Sequence, residues 1–165
     1  MSDILTAAKY LLLLLGLLLV CCSDDIPDVP ERLTEDEFWA IKGPDVKILN
    51  PIDGSLVGWI LMISGSYEGI PKGQEILVYG SSHAIDPDLW YPRAVASMHA
   101  GGVWDARVFV GQKDAPQGAK YDICAILADE EEAQQMIDDL LENGEEVEPV
   151  DLSGKILARI TVERK

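Results

Sequence analysis

The sequence predicts a mostly β fold: an antiparallel β-sandwich of about seven strands, one amphipathic helix before the last strand, and a hydrophobic signal or anchor segment at the N-terminus. Three observations carry this expectation. From residue 45 onward the apolar residues recur mostly at period two, as in strands. Clusters of Gly and Pro separate the apolar runs at short intervals, as turns do. Helix-forming stretches do not alternate with the strands, which sets aside a doubly wound α/β sheet.

The elements follow in order. Residues 46–49 form a short first strand, stopped by Asn50-Pro51-Ile52-Asp53-Gly54. Residues 56–64 read as one long second strand, apolar on both faces, as a central strand is. Residues 65–73 carry three glycines and Pro71 and read as a turn, and residues 74–79 as the third strand. Residues 81–89 read as a polar loop, 90–92 as a brief edge, and 95–99 as a fourth strand that Gly101-Gly102 ends. In residues 103–110 the alternation is clean: Trp104, Ala106, Val108 and Val110 share one face, with Asp105 and Arg107 opposite. Residues 111–118 make a polar turn and 120–128 another strand. In the final strand Ile156, Ala158, Ile160 and Val162 face inward.

The helix lies between the last two strands. Ala133, Met136, Ile137, Leu140 and Leu141 fall at helical spacing and predict an apolar stripe packed on the sandwich. Asp129 is the expected N-cap, Glu130, Glu131 and Glu132 oppose the positive end of the helix dipole, and Asn143-Gly144 is the stop.

Charge sharpens the division into segments. The chain of 165 residues has 29 acids against 13 Lys and Arg, a net charge of −16. Residues 1–22 are neutral overall, 23–45 carry −6, 46–120 only −1, 121–154 carry −12, and 155–165 carry +3. Such a balance excludes a nucleic-acid partner, which demands a Lys/Arg footprint against phosphates, and a polybasic grip on anionic lipid. Only residues 121–154 are dense enough in acid to suggest a cation or basic partner.

The first 22 residues read as a signal peptide or membrane anchor. No residue from 10 to 22 is charged, five leucines stand at 11–15, Lys9 precedes the run, and Asp24, Asp25 and Asp28 follow it. An uncleaved reading has a helix over residues 4–22, about 28 Å long, with Lys9 reaching the interface. Residues 23–44, acidic and containing Pro27, Pro30 and Pro44, read as a self-repelling linker. Within it Thr34 and Glu37 match a capping box for a short helix. The domain proper is expected over residues 45–165. Its one cysteine, Cys124, lies in a strand and reads as a small buried hydrophobe.

Two resemblances add to this reading. Leu18-Leu19-Val20-Cys21 and Leu19-Val20-Cys21-Cys22 resemble the lipobox of bacterial lipoproteins, which implies lipidation at Cys21 or Cys22, although Val20 or Cys21 stands where a small residue is usual. Residues 45–165 resemble the Ig-like β-sandwich modules of envelope-anchored bacterial and archaeal proteins. The resemblance rests on Asn50-Pro51-Ile52-Asp53-Gly54-Ser55, Ser64-Gly65-Ser66-Tyr67, Trp90-Tyr91-Pro92, Gly102-Val103-Trp104 before a strand closing at Gly111, and a basic end to the last strand. It implies a role in display, binding or assembly at the extracytoplasmic face of the cell membrane, with an envelope protein or glycan as partner. The antibody Cys…Trp…Cys framework is absent, and the late helix is extra to the plain pattern.

Chemistry is sparse in the sequence. Neither a phosphate-binding loop nor a zinc-protease motif nor a nucleophile elbow occurs, and no cofactor is implied. His83, Asp86 and Asp88 share a polar stretch and form the candidate metal site, of use to a small hydrolase or metal-dependent enzyme. Trp90 and Tyr91 are the candidate ligand-binding residues of a carbohydrate-binding module, provided that both rings form an exposed platform. The leading expectation is a non-catalytic, membrane-tethered module.

Overall fold

A computed structural model describes residues 34, 42–144 and 147–165. The N-terminal segment with Cys21 and Cys22, the linker prolines Pro27 and Pro30, and the helix expected beyond Thr34 lie outside the described residues. Among the described residues no helix is long and apolar enough to cross a membrane.

From residue 45 onward the described residues form a mostly β fold of two sheets, with one helix before the last strand. The strands are β1 (Asp45–Asn50), β2 (Ser55–Val57), β3 (Ile60–Glu68), β4 (Gln74–Ser82), β5 (Asp86–Val95), β6 (Ser97–His99), β7 (Val103–Phe109), β8 (Lys120–Asp129) and β9 (Ala158–Arg164); helix α1 spans Glu130–Asn143. The first sheet runs β1-β3-β7-β6 and the second β2-β9-β8-β4-β5. Pairing is antiparallel except between β2 and β9, which lie parallel with Leu56 opposite Glu163.

The long second strand expected over residues 56–64 is two strands in different sheets. The chain leaves the second sheet after Val57 and enters the first at Ile60. Gly58 and Trp59 make the crossing, and the apolar run gave no sign of it because each half is flanked by core on one side. The polar loop expected over 81–89 is also shorter. β4 continues through Ser82 and β5 begins at Asp86, leaving a three-residue turn at His83, Ala84 and Ile85.

The core between the sheets holds Ile63, Trp104 and Val108 from the first sheet and Ile76, Val78, Ile123, Ala125 and Val162 from the second. The alternation of residues 103–110 is the one seen: Trp104, Ala106, Val108 and Val110 are buried. Gly65 lets β3 approach this core closely. A Cβ there would lie 1.8 Å from the carbonyl oxygen of Lys47 and 2.6 Å from Nε1 of Trp104, so no other residue fits without moving backbone.

A second apolar layer covers the far face of the second sheet. Leu77, Tyr79, Cys124, Ile126 and Ala128 line that face, and Ala133, Met136 and Leu152 close over it. The helix caps are those expected: Asp129 accepts a 2.8 Å hydrogen bond from the Glu132 amide, and the Gly144 amide donates to the carbonyl of Leu140. The stripe is narrower than expected. Ala133 and Met136 are buried and Leu140 is packed against the layer, but Ile137 is exposed and Leu141 is 79% exposed. α1 therefore lies on the sheet along one edge of its apolar arc.

Candidate functional site

Strand parity sets up the far face of the second sheet. Asp122, Cys124, Ile126 and Ala128 alternate along β8 and point to one side. Their partners on β4 are Ser81, Tyr79, Leu77 and Glu75, and on β9 Thr161 and Arg159 stand opposite Asp122 and Cys124. The face divides into two halves: a charged cluster around Asp122 and a cleft under α1.

In the charged half Asp122 has no exposed surface. Its Oδ1 accepts from the Thr161 hydroxyl at 2.6 Å, and its Oδ2 accepts from Nη2 of Arg159 at 2.5 Å and Nε2 of His83 at 2.7 Å. Burial pushes the Asp122 carboxyl up, but the hydrogen bonds from Thr161, Arg159 and His83, together with the Arg159 charge, outweigh it and hold the group below the usual carboxylate range. The Arg159 guanidinium also lies 5.2 Å from the centre of the Trp90 ring. Next along β8, Cys124 is fully buried, and burial pushes its thiol up to about 12, which suits a packing residue and not a nucleophile.

This arrangement corrects the candidate metal site. His83 bonds to Asp122, 39 residues later, and not to Asp86 or Asp88. Asp86 instead accepts from the amide of Asp88 at 3.0 Å, a local turn bond that fixes the start of β5. Among the described residues no group of three His, Cys, Asp or Glu side chains is placed to hold a metal ion.

The ring platform is not formed either. Trp90 is 4% exposed and belongs to the layer under α1, and its amide and carbonyl both bond to Val150. Tyr91, its neighbour on β5, faces the opposite way, as successive strand residues must, and has the Arg93 guanidinium 5.8 Å from its ring centre. The two rings share no surface.

The cleft half went unpredicted. Beside α1 the sheet face opens into a cleft of about 460 Å³. Leu77, Tyr79, Ile126, Ala128 and Met136 make an apolar floor. Glu131, Glu132 and Asp139 border it from the helix, and Glu148 and Asp151 from the returning chain. Lys155 is the one basic lining residue among the described residues, and its Nζ lies 3.6 Å from Glu132. Tyr79 is only 9% exposed, and among the described residues its hydroxyl has no hydrogen-bond partner. Burial, the Glu132 charge and Cys124 push that hydroxyl's pKa up, which keeps it a neutral donor and acceptor.

The cleft left one trace in the sequence, the run of twelve acids without a base over residues 121–154. That run did not reveal that two separate walls bring acids to one opening. No protein-family model matches the chain, and no curated protein compared with it matches.

Proposed function

We infer that this chain is a membrane-tethered, extracytoplasmic Ig-like module that binds a component of the cell envelope and supports its assembly without catalysis. The observation that carries this reading is the preformed cleft on the far face of the second sheet. A concave site with an apolar floor and a few polar groups at its mouth is the usual form of a binding site. It lies where the helix extra to the plain Ig pattern has been inserted.

Support for the Ig-like reading comes from the strand order. β1 and β2 belong to different sheets, β2 runs parallel beside the last strand, and β4 and β8 pair at the centre of the second sheet. Support for the tether comes from the uncharged run over residues 10–22 with Lys9 before it, and from Cys21 and Cys22 at its end.

Two measurements test the reading. Intact-mass analysis of the membrane fraction should find either an acylated chain beginning at Cys21 or Cys22 or the full-length chain; recovery only in the soluble fraction overturns the tether. A photoreactive residue at position 139, on the cleft wall, should cross-link the full chain to a discrete envelope component in intact cells. Labelling no stronger than from a control position at Asp114 overturns the binding role.

A further inference from the structure

The acids around the cleft are more than helix capping requires. Glu131 and Glu132 stand in the first turn of α1, where the helix dipole favours them. Asp139 lies in a later turn, and Glu148 and Asp151 belong to another segment, yet all three border the same opening. Like charges gathered at one mouth repel, and Lys155 is the one base among the described residues that line it. The Tyr79 hydroxyl is a second, independent sign: a polar group on a side chain nine-tenths buried, set in the wall of the cleft, with no partner among the described residues. The hydroxyl oxygen is not sealed from solvent, so an occupant of the cleft can take the place of water as its partner.

We propose that the cleft binds a small organic cation, a protonated amine with an aliphatic or aromatic body. The apolar body lies on Leu77, Ile126 and Met136, and the ammonium group sits at the mouth among Glu131, Glu132 and the Tyr79 hydroxyl, which accepts one of its N–H bonds. The volume of about 460 Å³ matches sites for small molecules. An extended peptide is disfavoured because β5 is not open to strand addition here: both backbone groups of Trp90 are taken by Val150. The same cleft carries the binding-module reading, and this proposal names the ligand class within it.

The test uses the full chain, ¹⁵N-labelled, in neutral lipid nanodiscs at about pH 7, where a primary amine is protonated. Hexylamine is titrated against hexanol and hexanoate, which share its body but not its charge. Hexylamine should shift the amides of Ala128, Glu131, Glu132 and Met136 saturably, with hexanol at least about tenfold weaker and hexanoate without effect. Glu131→Gln with Asp139→Asn should weaken hexylamine binding about tenfold, and Tyr79→Phe about threefold, while Asp114→Asn leaves it unchanged. Equal binding of hexanol, shifts confined to other residues, or binding of a lysine-containing peptide where hexylamine fails would overturn the proposal. If these outcomes occur while position 139 still cross-links an envelope component, the binding-module reading stands with another ligand. If the cross-link is lost as well, both readings fall.

Discussion

The two halves of the second sheet's far face treat charge in opposite ways. Around Asp122 a buried carboxylate is met by three donors on its two oxygens, and the half-exposed His83 and Arg159 shield it from water. Under α1 a group of carboxylates rims an apolar floor with one lysine to balance them. The first half binds itself. It joins the turn after β4 to β8 and β9, so its charge contributes to register and stability. The second half holds Asp139, Asp151 and Glu132 only by local partners, Gln135, Ser153 and Lys155, and sets them around an opening.

The difference can be broken most directly at Asp122. Asp122→Ala removes three hydrogen bonds, two of them to basic side chains, and should lower the unfolding free energy by about 3 kcal/mol, read from urea titration. An unchanged midpoint would mean that the cluster is ornamental to stability. Met136→Ala takes away the main helix contact with the cleft floor and should cost about 2 kcal/mol, with α1 amides exchanging faster than those of β8. A loss shared equally by both elements would argue against an independent helix layer.

Acid should sharpen the contrast further. Asp122 is held below its ordinary range in the folded chain, so its contribution is whole above about pH 4 and fades as the pH falls through the lower folded value. The stability gap between the wild type and Asp122→Asn should therefore be constant near neutrality and close below about pH 4. A gap that persists in strong acid would show that the Asp122 charge is not what the cluster uses. The smallest effect is expected in the cleft. Glu131→Gln should change stability by no more than about 0.5 kcal/mol, because it relieves repulsion about as much as it weakens the helix dipole contact. A large loss there would assign the rim a structural duty.

Much of the frame was legible in the chain. The period-two run ending at Val110 and the caps at Asp129 and Gly144 are local patterns, and each appears where the spacing placed it. The break at Gly58 and Trp59 was not legible, since an apolar run is the same whether it stays in one sheet or changes sheets. The Asp122 cluster depends on cross-strand register, which sets His83, Arg159 and Thr161 beside a residue 37 to 39 positions away. One signal was present: Asp122 has the same parity as Cys124, Ile126 and Ala128, so it had to be a carboxylate on a buried face in need of partners. Trp90 was misjudged for a related reason. Its cover comes from Val150 and from the layer under α1, and neither adjoins it in sequence.

The borders of the two sheets have a consequence of their own. β2 and β6 are three residues long, β1 slips register between Ile48 and Asn50, and β5 contains Pro87 and Pro92 along with two irregularities in its pairing with β4. Among the described residues each border strand is thus short, bent or missing donors, and offers a second copy little straight ladder to extend. Adding a strand at these borders is therefore a poor route for one copy of the described domain to join another.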